Sequence, residues 1–198
     1  FMGSKYYETP NIDKLSESGL TFYNGYASAA NCAPSRATML SGKYQNTHGI
    51  FSVANPLFGY GSDRGSRKTR KIIPIETKSN LDLDFFVIPE MLKEMGYTNG
   101  HFGKWHLGDI GFHPEDSGFD VNVGGNRHGG PGGYFAPYPY PDLTDVPNGE
   151  YLTDRIGDEV VKFITANKEN NFFAYVPFFS VHTPIQSKPA YQKKYTKK

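Results

Sequence analysis

The sequence predicts an α/β fold with a largely parallel β-sheet, and three observations lead to this. Helix-like and strand-like segments alternate along the chain, which is typical of parallel sheets covered by helices on both faces. The helices are bounded by proline, cap residues and glycine. Residues 172–180 form an almost continuous apolar run, as expected for a strand buried on both faces. Such sheets bind ligands beyond the carboxyl ends of their strands.

The first elements are predicted from cap and turn residues. Thr9-Pro10-Asn11 predicts a helix start, and Gly19 predicts its end. The β-prone run 20–23 predicts a short strand. Residues 34–41 predict a helix with proline at its first position, closed by Gly42.

The second half of the chain continues the alternation. Residues 88–95 predict a helix, and residues 97–103 predict the next strand. The apolar positions of residues 151–167 recur on one helical face, and Thr153 or Asp154 is predicted to cap that helix.

Two segments are predicted to be loops. Residues 59–71 are rich in Gly, Ser and basic side chains and predict a solvated loop. Residues 111–149 are rich in Gly, Pro and Tyr and are too long for a simple connector. Their aromatic side chains predict an ordered segment that forms a wall against a substrate, and Asn126, Arg127 and His128 are expected to line the leaving-group side. His48 lies in a turn-like sequence and is interpreted as structural.

Composition narrows the function classes. The chain has 198 residues, 37% of them hydrophobic and 15% aromatic, which is enough to bury a sizeable core. Its net charge of +1 argues against nucleic acid or an anionic membrane as the main partner. No apolar run is long enough to span a bilayer. The single cysteine excludes an internal disulfide and a cysteine-rich zinc site.

That cysteine, Cys32, is placed by the prediction at a helix N-terminus. A lone cysteine is most often a small buried apolar residue. Here, however, the unpaired N–H groups and the dipole of the helix favour an anion. Arg36, one turn further on, adds a fixed positive charge and a donor fork suited to oxyanions.

Further reactive side chains follow the predicted strands. Lys104 and His106 come after the strand at 97–103, and His182 comes after the run at 172–180. Together with Cys32 they would form a site that is rich in cations and proton donors. Such a site suits a phosphate or sulfate ester better than an amide.

Five segments also resemble those of a known family. Residues 32–42, Cys-Ala-Pro-Ser-Arg-Ala-Thr-Met-Leu-Ser-Gly, resemble the first signature of type I sulfatases. Residues 96–108, Gly-Tyr-Thr-Asn-Gly-His-Phe-Gly-Lys-Trp-His-Leu-Gly, resemble the second. Residues 9–15, 151–154 and 181–184 are similar to other family segments in the family's order, so the resemblance covers nearly the whole chain.

The resemblance implies an alkaline-phosphatase-like α/β/α sandwich. It implies that residues 1–198 are part of an N-terminal catalytic domain, incomplete at both ends, with the first strand and the C-terminal part missing. It also implies that Cys32 is oxidised by a formylglycine-generating enzyme to Cα-formylglycine, whose hydrate attacks sulfur. Pro34 and Arg36 would belong to the recognition sequence for that enzyme.

The resemblance also implies a role for each site residue. Arg36 would hold the hydrate of residue 32 and balance charge near a metal. Lys104 would bind a sulfate oxygen and the hydrate. His106 would act as a base when sulfate is expelled, and His182 would donate a proton to the leaving oxygen.

One calcium ion per site is implied by the same resemblance. Cys32, as formylglycine, would be the only ligand within the chain, because the family's other ligands lie upstream and downstream of it. The isolated chain is therefore expected to be inactive. The substrate would be a small-molecule or glycan sulfate ester, and the family leads us to expect a periplasmic, secreted or lysosomal protein.

Three alternatives remain open at this point. An enzyme of the same fold could hydrolyse phosphodiesters or phosphonates with the same modified cysteine. The chain could be an unmodified, non-catalytic module. Finally, Cys32 with His106 or His182 could form a plain cysteine hydrolase.

Overall fold

The computed structural model describes residues 3–53, 75–140 and 142–196. The chain divides into a larger unit, residues 28–186, and a smaller unit made of residues 1–27 and 187–198. The loop predicted at 59–71 lies outside the described residues. In the part of the chain that is described, no helix is both long and apolar enough to cross a membrane.

In chain order the helices and strands are α1 (Pro10–Ser18), α2 (Cys32–Ser41), α3 (Gln45–His48), α4 (Ile88–Glu94), β1 (Thr98–Phe102), a 3₁₀ helix (Pro114–Ser117), β2 (Val121–Val123), α5 (Leu152–Asn167), β3 (Phe172–Tyr175) and α6 (Pro189–Tyr195). Helices and strands alternate from α4 onward, as the sequence predicts, whereas four helices precede the first strand among the described residues.

The sheet of the larger unit is parallel and has the order β2-β1-β3. On one face of β1, Phe102 packs against Phe163 of α5, with ring centroids 5.2 Å apart. On the other face, Asn99 Nδ2 donates a hydrogen bond to the Pro89 carbonyl of α4 over 2.6 Å. Because successive strand residues point to opposite faces, α4 and α5 cover opposite faces of the sheet. This confirms the predicted α/β sandwich.

Each face of the sheet has its own apolar core. The α5 face buries Phe102, Leu152, Ile156 and the tyrosines of the long loop. The α4 face buries Trp105 and Leu107 together with apolar residues of α2. The second core therefore connects α2, which begins at Cys32, to the segment that follows β1.

Gly103 places the residues that follow β1. Its N–H donates to the Val123 carbonyl over 2.8 Å, and the next N–H, of Lys104, donates to the Pro177 carbonyl over 2.8 Å. The central strand is thus held from both sides at its carboxyl end. Gly103 has φ +121°, and a Cβ atom there would lie 2.4 Å from the Pro177 carbonyl oxygen. Only glycine satisfies both conditions without a backbone shift.

We expect Gly103→Ala to lower the free energy of unfolding of the full-length protein by about 2–4 kcal/mol, because the new methyl group meets backbone rather than a movable side chain. Urea denaturation followed by fluorescence measures this. The matched control is Gly157→Ala in α5, where a Cβ meets nothing within 4 Å. That variant should be about 0.5–1 kcal/mol more stable than the wild type. Equal stability of the Gly103 variant and the wild type would contradict the expectation.

Two predicted strands are corrected by the structure. Residues 20–23 form no strand, and Leu20 and Phe22 are 89% and 83% exposed. Strand propensity is expressed only where a neighbouring strand provides hydrogen bonds and packing, and none of the described residues does so here. The strand predicted at 172–180 ends at Tyr175, because Pro177 lacks an N–H. Its residues are only partly buried, since β3 pairs on one side alone among the described strands.

Two helix starts also differ from the prediction. Helix α2 begins at Cys32, so Pro34 occupies its third position rather than its first. The first turn still tolerates proline, because its N–H groups have no partner within the helix. The N-cap of α5 is Tyr151, and no side chain caps the helix. The predicted cap Thr153 instead has its hydroxyl 2.7 Å from that of Ser180.

The tyrosines of the long loop are ordered, as expected, but they contribute to the core. Tyr134 and Tyr140 are 2% and 1% exposed, and Tyr138 is also buried. The predicted aromatic wall is therefore largely interior packing.

The smaller unit is held by bonds between its two segments. The Tyr6 hydroxyl donates a hydrogen bond to the Tyr195 carbonyl over 3.2 Å, and Glu8 forms an ion pair with Lys194.

Candidate active site

The predicted site residues of the larger unit come together at the carboxyl end of β1. Arg36 Nη1 donates a hydrogen bond to the Lys104 carbonyl over 2.7 Å and lies 3.5 Å from the Tyr175 hydroxyl. These two contacts connect the first part of α2 to Lys104, which follows β1, and to Tyr175, the last residue of β3. Arg36 fixes the relative position of Cys32 and Lys104, which lie 72 positions apart in sequence.

Cys32 is the first residue of α2 and is partly buried. Its Sγ lies 3.4 Å from His106 Nδ1. The Lys104 ammonium group also interacts electrostatically with the Cys32 side chain. The thiol therefore faces an ammonium group and an imidazole, with the N-terminus of α2 beneath it.

Lys104 is only 4% exposed, which is unusual for a lysine. Burial lowers the pKa of its ammonium group, and Arg36 lowers it further, whereas Cys32 acts in the opposite direction. Two cations close together in a partly dry pocket create a strong preference for an anion between them.

His106 is held in a left-handed backbone conformation, with φ +62°. Its N–H donates to the Asn126 carbonyl over 3.0 Å. Burial, followed by the charges of Lys104 and Arg36, lowers its pKa to about 4. The imidazole is therefore neutral at neutral pH and can accept a proton.

His182 completes the group from the segment after β3, and its side chain is exposed. Its Nδ1 lies 2.7 Å from the Thr183 carbonyl oxygen, which can only accept, so Nδ1 carries the proton. The Tyr134 hydroxyl donates to the carbonyls of Phe179 and His182 over 2.9 and 3.0 Å. A buried tyrosine of the long loop thus anchors the segment that carries His182.

The loop 124–130, Gly-Gly-Asn-Arg-His-Gly-Gly, contains Asn126, Arg127 and His128, which the sequence predicts to line the leaving-group side. A Cβ atom at Gly129 would lie 2.4 Å from the His106 ring, and one at Gly130 would lie 2.9 Å from the His182 ring. Backbone therefore packs directly on both histidines. The signal in the sequence was the pair of glycine doublets around Asn126–His128, because doublets of this kind mark a close backbone approach.

His101 is linked to the loop 124–130 through the side chain of Asn122. It is fully buried on β1, and its Nδ1 lies 3.2 Å from Asn122 Oδ1, which also accepts the N–H of Gly125 over 3.0 Å. Burial lowers the pKa of His101 to about 3.

His48 is interpreted from the sequence as structural. It is buried, and its Nε2 lies 3.1 Å from the Thr38 hydroxyl of α2.

These histidines predict a pH dependence of stability. The folded pKa values of His101 and His106 lie below the value of about 6.5 expected in the unfolded chain. Between pH 6.5 and 4 the unfolded state therefore binds more protons, and the free energy of unfolding should fall as the pH is lowered. The loss is on the order of 3 kcal/mol for each ring.

Thermal unfolding of the full-length protein at half-unit pH intervals measures this loss. His106→Asn should make the fall between pH 6.5 and 4 less steep, because one titrating ring is removed. A melting temperature that does not change across this window would contradict the expectation.

The described residues do not form a calcium site by themselves. Within residues 3–53, 75–140 and 142–196, no three His, Cys, Asp or Glu side chains cluster so that they could hold a metal ion. The groups around Cys32 are cations and imidazoles, whereas calcium takes oxygen ligands. The calcium expected from the family resemblance thus finds no ligand set among these residues.

Known proteins match this chain over nearly its whole length. The sulfatase family model matches residues 1–198. A sulfatase of Formosa agariphila is 30% identical and is aligned over 99% of this chain and 43% of its own length. Human N-acetylgalactosamine-6-sulfatase is 30% identical, over 92% of this chain and 36% of its own length. The chain therefore spans less than half the length of these relatives.

A solved structure shows the same fold. The crystal structure of Ps i-CgsB in complex with k-i-k-neocarrahexaose superposes on this chain with a TM-score of 0.74 and 28% sequence identity. The superposition covers 98% of this chain and 44% of the Ps i-CgsB chain. The signatures at 32–42 and 96–108, the parallel sheet that brings them together and the match over the whole chain lead to one conclusion: this chain belongs to the sulfatase family.

Proposed function

We propose that the full-length protein hydrolyses the sulfate ester of a carbohydrate and that residue 32 acts as Cα-formylglycine. The observation that carries this proposal is the meeting of Cys32, Lys104 and His106 at the carboxyl end of β1, with the Cys32 sulfur 3.4 Å from His106 Nδ1. Family membership supports the same reaction. The modified residue would supply a hydrate, one oxygen of which attacks sulfur while the other later expels the sulfate.

The surroundings of Cys32 suit this modification. An oxygen-bearing side chain at position 32 would have a cation and an imidazole as neighbours and would start a helix whose free N–H groups favour negative charge. We propose that Cys32 is converted by a formylglycine-generating enzyme that recognises the segment containing Pro34 and Arg36.

Lys104 and Arg36 would bind and orient the anionic group. The buried ammonium of Lys104 is proposed to contact a sulfate oxygen, because it interacts electrostatically with the side chain of residue 32. Arg36 binds the Lys104 carbonyl and so holds this lysine in place, while its charge adds to the field at residue 32. Fixed charges in a dry pocket stabilise the negative charge that develops during transfer.

The two histidines would move protons. His106 is neutral at neutral pH, with a pKa of about 4, and its Nδ1 faces residue 32, so it is placed to take a proton from the hydrate when sulfate leaves. His182 holds the proton on Nδ1 against the Thr183 carbonyl. Its Nε2 can therefore donate to the leaving oxygen only when the ring is protonated.

Calcium stays part of the proposal for the full-length protein. Because no group of His, Cys, Asp or Glu side chains among the described residues could hold a metal ion by itself, we propose, in line with the family resemblance, that the remaining ligands come from outside this chain. Calorimetric titration with calcium should then show binding to the full-length protein and none to a protein consisting of residues 1–198.

The substrate class is proposed from the relatives. One is named for N-acetylgalactosamine 6-sulfate, and another was solved with a neocarrahexaose. We propose a sulfated sugar or oligosaccharide for this chain as well. A sugar sulfate would place its anionic group against Lys104 and its hydroxyl groups toward the loop 124–130.

The test is an assay of the full-length protein produced together with a formylglycine-generating enzyme. Sulfate release from N-acetylgalactosamine 6-sulfate and from sulfated neocarrahexaose is measured, alongside the sulfate and phosphate esters of 4-methylumbelliferone. Intact mass shows whether Cys32 has exchanged its sulfur and two hydrogens for one oxygen. We expect the converted mass and a higher kcat/KM for the sulfate than for the phosphate ester.

Each alternative has its own outcome in this experiment. A higher kcat/KM for phosphate esters would show that the protein acts as a phosphoesterase of the same fold and not as a sulfatase. An unchanged thiol without turnover would identify an unmodified module. Turnover by an unchanged thiol that iodoacetamide abolishes would identify a cysteine hydrolase, since formylglycine has no thiol to alkylate.

A further inference from the structure

His128 occupies a distinctive position beside the site. It lies in the loop between Asn126, whose carbonyl accepts the His106 N–H over 3.0 Å, and Gly129, which packs on the His106 ring. The next residue, Gly130, packs on the His182 ring. His128 is therefore bracketed by residues that touch both histidines of the site.

The hydrogen bonds of His128 fix its tautomer. Asn126 Oδ1 lies 2.8 Å from the backbone N–H of His128, and this donor identifies the Asn126 atom as oxygen. The ring Nδ1 lies 2.8 Å from that same oxygen, which can only accept, so Nδ1 carries the proton. The neutral ring therefore has its lone pair on Nε2, for which the described residues provide no hydrogen-bond partner.

The ring is also fixed in orientation. It meets the buried Tyr140 ring edge-on, with centroids 6.1 Å apart and an interplanar angle of 80°. The Tyr140 hydroxyl donates to the Gly130 carbonyl over 3.2 Å, which joins this support to the loop itself. A recognition residue needs this kind of support, because a side chain already held in position loses little entropy on binding.

The local charges favour a neutral imidazole. Burial, followed by the charge of Arg127, lowers the pKa of His128. Arg127 itself is paired with Asp109 at 2.9 Å, and His113 Nε2 lies 3.7 Å from the same carboxylate. A lone pair on a neutral ring attracts a hydroxyl donor and repels a second anionic group.

We propose that His128 Nε2 accepts a hydrogen bond from a hydroxyl group of the alcohol that leaves when sulfate is transferred, so that His128 selects hydroxyl-rich leaving groups, that is, sugars. The inference rests on the proposed function, because it assigns the leaving-group side of that same site. It makes His128 a specificity-determining residue that contacts substrate.

The test compares two kinds of substrate in the full-length, converted protein. N-acetylgalactosamine 6-sulfate and sulfated neocarrahexaose offer hydroxyl groups, whereas 4-methylumbelliferyl sulfate offers none on its leaving group. His128→Ala should lower kcat/KM for a sugar sulfate about tenfold more than for the aryl sulfate, which is the loss expected for one hydrogen bond. His128→Gln retains an acceptor and should recover part of this difference.

His113→Ala is the matched control, because it removes another partly buried imidazole of the same segment. It should change both substrates by the same small factor. An equal loss on both substrates in His128→Ala, or no loss on the sugar sulfate, would overturn the inference while leaving the proposed function intact. If the wild type turns over the aryl sulfate and neither sugar sulfate, the inference is overturned together with the carbohydrate part of the proposed function, and only the sulfatase activity stands. A wild type that hydrolyses no sulfate ester would instead overturn the proposed function, and this inference with it.

Discussion

Replacing Cys32 with alanine is expected to reduce kcat/KM for sulfate esters by a factor on the order of 10⁴ or more, which is the largest effect that we expect from any single substitution. Alanine offers neither a thiol to convert nor an oxygen to attack sulfur. The side chain of Cys32 is partly buried at the first position of α2, and alanine is a good helix former, so the fold should persist.

The measurement is the initial rate of sulfate release by the full-length variant, together with its intact mass and its urea midpoint. Met39→Leu is the control on the same helix, because Met39 is 51% exposed near the C-terminal end of α2. It should retain wild-type rates. A Cys32→Ala variant that retains more than about one hundredth of the wild-type kcat/KM would exclude residue 32 as the nucleophile.

Lys104→Met carries the second largest expected effect, a fall in kcat/KM by a factor on the order of 10² to 10³. Methionine keeps most of the length of the side chain but removes the charge that faces residue 32. Stability should not suffer, because a buried ammonium has lost water without gaining a carboxylate partner among the described residues. The free energy of unfolding should therefore equal or exceed that of the wild type.

Lys162→Met is the matched control, since Lys162 is 66% exposed on α5 and pairs with Glu159 at 2.8 Å on the surface. It should leave kcat/KM and stability close to the wild-type values. The proposed role of Lys104 would be wrong if its variant lost less than about threefold in kcat/KM. A loss of activity accompanied by unfolding would assign Lys104 to the scaffold instead.

Much of the fold could be predicted because the residues that favour a helix or a strand in a short segment are often the residues that the folded protein buries. The segments of α4, β1 and α5 are each predicted within a few residues, since Pro89 marks the start of α4 and since the strand-forming run of β1 and the apolar periodicity of α5 match what the core then buries. The strand predicted at 20–23 was wrong for the opposite reason. Its aromatic and β-branched residues favour a strand, but no described neighbour pairs with them.

The site could be predicted in its membership but not in its arrangement. The proximity of the three side chains is expected because Cys32 lies at a helix N-terminus and Lys104 and His106 follow a strand, and the structure brings them together. The contacts that bring these side chains together could not be predicted from the sequence. Arg36 reaches a backbone carbonyl, and Gly103 allows β1 to approach the Pro177 carbonyl, which are contacts between residues far apart in sequence.

The sequence by itself determined the fold class, the family and the residue types at the centre of the site, because periodicity, caps and signature segments are properties of short stretches. Only the tertiary structure decided that Lys104 is buried, that His106 is neutral and that His128 carries its proton on Nδ1. These properties depend on burial and on charges brought together by chain segments that are distant in sequence. They arise only when Cys32, the end of β1 and the loop 124–130 share one pocket.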